Sequence, residues 1–193
     1  WETIKDALVL KTREQAGRKE GPTYGIIDSQ SAKTVAASEE RGYDGGKKVK
    51  GRKRHIVTDT LGDILSIVVH AANIHDTKSG IDAACRAYDK YHTIKKFCGD
   101  DGYRKTFEND VQDELGLGID ISARITPKFE VMPKRWAVER TFSWLNHSRR
   151  LSKDYEITTE SEEAMANISH LHTLLRRLAR HGTPIKSWTK SAA

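Results

Sequence analysis

The chain has 193 residues, enough for one domain with a sizeable core and too few for two large ones. Thirty-three Lys and Arg against 27 Asp and Glu give a net charge of +6, a balance that suits a polyanionic partner and still leaves carboxylates for chemistry. A hydrophobic content of 37% excludes a disordered chain, no stretch approaches the run of about 18 apolar residues of a membrane span, and two cysteines without CxxC spacing exclude a zinc ribbon.

Residues 3–16 place Ile4, Ala7 and Leu8 at helical spacing, and the helix should end near Gly17. The chain starts at Trp1 without a Met and enters this helix directly, so it reads as part of a longer protein. GRKEGPT is a linker, and Thr23–Ser31 (TYGIIDSQS) carries an apolar run of strand length. The following KTVAASEERGYDGGKK is rich in Gly and charge and predicts a long exposed loop. Lys50–Thr60 and Gly62–Ala72 read as two strands joined as a hairpin at DTLGD. Ile81, Ala84, Cys85 and Tyr88 make Thr77–Tyr91 an amphipathic helix. Thr93–Asp100 is a short strand, Tyr103–Leu115 a helix and Gly118–Ile125 another strand, an alternation that implies parallel pairing. Beyond Pro133, Val138, Phe142 and Leu145 form one helical stripe. Thr159 and Glu162 have capping-box spacing ahead of a last helix that runs to about Arg180. Three strands, then helix, strand, helix, strand, helix is the succession of an α/β RNase H-like fold, a mixed five-stranded sheet flanked by helices.

Acids stand where an active site could form. Asp28 follows an apolar pair inside the first strand, where lost hydration demands a cation, a metal or a hydrogen-bond donor. It fits equally a strand-end Asp that bonds the next loop. Asp100 and Asp101 end a strand in CGDDGYRK, where α/β sheets gather ligands, or they open a turn at Gly102. Strand alternation lets only one of the two face a cation shared with Asp28. Glu139 lies at the rim of its helix's apolar stripe with Arg135, Ser143, Asn146 and Arg150 to its side, as a metal ligand or as the partner of Arg135. Acids on three separate elements suit a two-metal phosphodiester site. Lys47, Lys48, Lys50, Arg52, Lys53 and Arg54, with Arg149 and Arg150, are candidates for DNA backbone contact, although a solvated charge run is the ordinary reading. His170 and His172 point to different faces, His75 and Asp76 fit a helix cap, and Trp136 and Trp144 read as packing aromatics.

The runs IIDSQSAKT, RGYDGGKKVKGRKRHIVTDTLG, IVVHAANIHD, GDDGYRK and PKRWAVERTFSWLNHSRRLSKDYE, in this order, resemble the DDE transposases of bacterial insertion sequences, of the IS-four/IS-five type. The resemblance covers Tyr24 to about Arg180. It implies that Asp28, Asp100 and Glu139 are the catalytic acids and hold Mg²⁺ or Mn²⁺, with Asp100 chosen because the family's Asp precedes one variable residue and then Gly-Tyr. It implies hydrolysis at element ends, strand transfer into target double-stranded DNA, a homodimer or higher assembly on DNA, and a bacterial cytoplasmic, nucleoid-associated setting without membrane attachment. A nuclease without strand transfer and a non-catalytic DNA-binding relic are the alternatives. The expected division is an upstream helical remainder and linker at 1–22, a catalytic domain at 23–182 and a tail at 183–193.

Overall fold

One mixed sheet organises the molecule, and the computed structural model describes residues 1–122 and 135–180 of it. In chain order the elements are α1 (Glu2–Gln15), β1 (Tyr24–Lys33), β2 (Gly42–Asp44), β3 (Val49–Thr58), β4 (Ile64–Ala71), α2 (Asp76–Lys90) and β5 (Lys96–Asp100). A 3₁₀ turn (Asp101–Tyr103), α3 (Thr106–Leu115), β6 (Gly118–Ser122), α4 (Arg135–Asn146) and α5 (Thr159–Ala179) follow. β1 pairs antiparallel with β3, and β3 with β4, whereas β1, β5 and β6 run parallel. The order β4-β3-β1-β5-β6 is that of the RNase H-like fold. A sixth strand departs from the expected five: β2, inside the supposed loop, pairs Gly42–Asp44 with Val49–Gly51 of β3. Position 51 is held to glycine there, since a Cβ would stand 2.0 Å from the Ala32 carbonyl oxygen.

Both faces of the sheet are covered, and alternation along each strand decides which core a residue joins. Ile27, Val57, Leu65 and Val68 pack with Val9 of α1, Ala84 of α2 and Phe107 of α3. Ile26, Ile56, Ile67 and Val69 pack with Val138 and Phe142 of α4 and Ala166 of α5. α1 is therefore fastened to the same unit as the sheet. Lys5 Nζ donates to the Leu65 carbonyl at 3.1 Å, Thr12 Oγ1 donates to Asp63 at 2.9 Å, and Arg13 pairs with Asp59.

The β3–β4 turn is a second anchor. Gly62 takes a φ of +79°, a conformation glycine adopts without steric cost, and Asp59 accepts the Leu61 and Asp63 amides at 2.8 and 2.9 Å. α4 lies across this turn: Thr141 Oγ1 donates to the Gly62 carbonyl and Arg140 to the Leu61 carbonyl, both at 2.8 Å. Asp63 also pairs with Arg177 of α5, so three helices meet at one turn.

Alternation also overturns part of the basic run. Arg52 and Arg54 share the β3 face of Ile56 and lie 0% and 1% exposed under the connection from α4 to α5. Arg52 meets Asp154 at 3.1 Å and donates to the carbonyls of Glu39, Glu156 and Thr158, while Arg54 pairs with Glu162 and donates to the Leu151 carbonyl at 2.8 Å. Glu162 is thereby withdrawn from the expected capping box. The cap sits one residue earlier, with Thr158 Oγ1 accepting the Ser161 amide at 3.2 Å. α3 likewise starts at Thr106, because residues 101–103 are spent on the 3₁₀ turn. Trp136 is 48% exposed, so it is not a core aromatic.

Glu162→Ala should cost about 3–5 kcal/mol in urea unfolding, because it strands the Arg54 guanidinium unpaired in the interior. The double replacement Arg54→Met, Glu162→Leu should cost far less, since both charges leave together.

Candidate functional site

Asp28 lies on the Ile26 side of β1, toward α4, and is half-buried. Two residues upstream, Ile26 is in register with Cys98 of β5, so Asp28, midway along β1, and Asp100, the last residue of β5, come side by side just past the end of the β1–β5 pairing. Burial raises the Asp28 carboxyl from its ordinary 3.8 to about 6, and the Asp100 charge adds to the rise, against the Ser29 amide, which donates to Asp28 Oδ1 at 2.7 Å, and the more distant Arg135 and Lys47 cations. The last residue of β5, Asp100, turns its Oδ1 to the Gly102 amide at 2.9 Å and so caps the 3₁₀ turn. Asp101 has a side chain 70% exposed and pairs with Arg104 at 2.5 Å. Of the two neighbours, Asp100 is the one on the Asp28 side, and it is also the one that opens the turn at Gly102.

Glu139 enters from the second turn of α4. Arg135 Nη2 stands 3.4 Å from Glu139 Oε1 and 3.9 Å from Asp100 Oδ2, so one guanidinium links the helix acid to the strand-end acid. Among the described residues no three acids, histidines or cysteines stand close enough to hold one ion. Asp28 and Asp100 instead repel one another as neighbours, and the Arg135 guanidinium stands between Asp100 and Glu139. Beside it lies a cleft of about 490 Å³ walled by Ser29, Gln30 and Lys47 on one side and Glu139, Ser143, Asn146 and His147 on the other.

The remaining sequence candidates divide by exposure. Lys47, Lys48 and Lys50 are exposed, and Lys47 Nζ donates to the Ser29 carbonyl at 3.2 Å, which carries its charge to the cleft wall. Arg52, Lys53 and Arg54 are withdrawn from any polyanion. Lys53 is buried on the opposite face, with Nζ 2.9 Å from Asp76 and 3.8 Å from Asp44. Arg149 and Arg150 are both exposed; Arg150 lies beyond the end of α4 and pairs with Glu156. His75 caps α2, with Nδ1 accepting the Thr77 amide at 3.4 Å. His170 is buried and accepts the Ile64 amide, and His172 is exposed.

Sequence reasoning missed a polar cluster on the far face of the sheet. Ser29 Oγ donates to Asp76 at 3.0 Å, and His55 Nδ1 meets His70 Nε2 at 2.8 Å with its ring stacked on His70. Burial and the neighbouring His70 lower the His55 imidazole to about 3, so it is neutral. The signal available was period two: residues 53 and 55 alternate with 52 and 54.

Ionising a carboxyl whose folded value lies above 3.8 costs the fold. The benefit of a protonated Asp28 is complete below about pH 4 and is lost as pH rises through about 6. Without divalent ions, Asp28→Asn should therefore be more stable than the parent by about 1–3 kcal/mol near pH 7.5 and no more stable near pH 3.5, as read by urea unfolding.

Comparison with known proteins adds the lineage. The family described as "Transposase DDE domain" matches residues 19–174. A Burkholderia cepacia protein named "Putative transposase for insertion sequence element IS402" is 32% identical over 114 residues, 55% of this chain. The match spans 54% of that relative, about half its length. Two solved structures resemble the chain more loosely. They are the catalytic core domain of BIV integrase, at 12% identity over 78% of this chain and 82% of that one with a TM-score of 0.47, and the catalytic domain of Mos1 mariner transposase, at 11% over 91% and 88% with a TM-score of 0.48. With the family match running through β1, β5 and α4, which carry the three acids, this chain belongs to the transposase DDE domain family.

Proposed function

We propose that this chain is the catalytic domain of an insertion-sequence transposase that hydrolyses phosphodiesters at element ends and transfers the 3′ hydroxyl into target double-stranded DNA. The observation that carries it is the meeting of Asp28 of β1 and Asp100 at the end of β5, on neighbouring parallel strands, with Glu139 tied to Asp100 through Arg135. Divalent ions, Mg²⁺ or Mn²⁺, fit this donor set: it is all carboxylate oxygen, and the Asp28 carboxyl is destabilised by burial and by Asp100, a cost that a bound cation removes. Asp28, Asp100 and Glu139 would hold the ions. When bound, a pair of such ions activates the attacking oxygen and stabilises the leaving one.

The chain's own groups then have separate tasks. Asp28, fixed in a central strand, and Asp100, held through its Gly102 bond, present their free oxygens from rigid interior strands of the sheet. Glu139 approaches from a helix that the β3–β4 turn locks in place. Lys47 and the exposed Lys48 and Lys50 would draw the DNA backbone into the cleft. A homodimer or larger assembly on DNA would present paired element ends, in the bacterial cytoplasm at the nucleoid.

In the full-length protein, Asp28→Asn, Asp100→Asn and Glu139→Gln should each lower metal-dependent strand cleavage by about a hundredfold or more with the fold retained, as followed on labelled duplexes. Asp101→Asn should keep most activity. Equal losses at Asp100 and Asp101 would defeat the assignment. Cleavage without any joining would favour a plain nuclease, and DNA binding without cleavage a relic. Calorimetry should find Mn²⁺ bound more tightly with DNA present than without it, since phosphate oxygens complete the coordination shell.

A further inference from the structure

His147 at the end of α4 lines two cavities. One is the cleft beside Glu139; the other, of about 560 Å³, lies between the end of α4 and the last turns of α5. The walls of the second include Trp144, His172, Arg176, Arg177 and Arg180, and among the described residues no carboxylate lines it. Its arginines are not equivalent. Arg177 is neutralised by Asp63 and lies 4.5 Å from the centre of the Trp144 ring, with Arg140 at 4.6 Å from the same ring. The indole already carries two guanidiniums, so it serves to hold Arg177 in place and does not offer a free face to a nucleobase. Arg176 and Arg180 are exposed and have no ion pair among the described residues. His172 and Arg176 stand four apart on one ridge of α5, about 5–6 Å apart at Cβ, and Arg180, four residues further on, caps the helix. Two exposed guanidiniums with hydrogen-bonding forks and no acid between them are the chemistry that receives phosphates.

We propose that this α4–α5 cavity is a second DNA-backbone site, where Arg176 and Arg180 hold phosphates of the same duplex whose scissile strand lies in the Glu139 cleft. The assignment rests on the transposase reading above and extends it, because it gives the DNA a path past His147 and along α5. It also makes a part of the chain that lies outside the catalytic acids a determinant of affinity.

The test is fluorescence anisotropy of the full chain with a labelled duplex, from about 50 to 200 mM salt. The double variant Arg176→Gln, Arg180→Gln should lower the slope of log affinity against log salt by about two and weaken binding at least about tenfold at the low-salt end. Arg176→Lys, Arg180→Lys should restore most of the slope. Lys11→Gln, Lys95→Gln, which removes two exposed charges elsewhere, should leave it nearly unchanged. Thermal unfolding of each variant controls for the fold, since arginines in a last helical turn also offset the helix dipole. A double variant that loses thermal stability but binds with the parent slope overturns the proposal and leaves the transposase reading standing. A parent chain that shows no salt-dependent DNA binding overturns both.

Discussion

Arg52 and Arg54, two guanidiniums on one face of β3, hold the second half of the molecule to the first. A charge in the interior is tolerated only when it is paired, and here carboxylates from Asp154 and Glu162 and carbonyls from the α4–α5 connection supply partners, leaving Arg54 Nη2 the one guanidinium nitrogen of the two without a hydrogen bond among the described residues. The connection cannot lift from the sheet without exposing that unpaired charge to an apolar interior. α4 is consequently held beyond its C-terminal end by this clamp and at its middle by the β3–β4 turn, and the height at which Glu139 meets Asp100 is set by both. Placement of the helix acid is thus decided by residues that never approach it.

At the acids themselves the forces run the other way. Two like charges converge where the pairing of β1 with β5 ends, and one of them is deprived of water, so the neighbourhood is costly in isolation. Arg135 relieves Asp100 and Glu139 at distances of 3.9 and 3.4 Å, beyond those of a tight ion pair. Stability and chemistry are therefore divided spatially. Closely paired charge lies beneath the α4–α5 connection, and loosely paired charge lies where the β1–β5 pairing ends, where a ligand can supply what is missing.

Much of this was legible in the residues. Apolar runs and helical stripes identified β1, the β3–β4 hairpin, α2, α4 and α5, because each is long enough for its period to stand out. The short strand β2 was not, since three residues pair only because distant β3 supplies the partner. Local sequence could not separate Arg52 and Arg54 from Lys47, Lys48 and Lys50, as charge patterns look alike in solvent and in a clamp. Only the two covered faces of the sheet make the difference. Distinguishing Asp100 from Asp101 needed the family resemblance as well as alternation, and the cap at Thr158 was displaced by a tertiary bond to Glu162 that no capping pattern encodes.

The fastening of α1 bears on where the molecule can be cut. The span that matches the family begins at residue 19, after α1, and stops at 174, before Arg177. A fragment trimmed to those limits would lose Lys5, Thr12, Arg13 and Arg177 together. Asp59 and Asp63 would then face each other at the β3–β4 turn without their cations, beneath the helix that carries Glu139. Evolutionary similarity and mechanical integrity draw different borders here, and the mechanical one is wider at both ends.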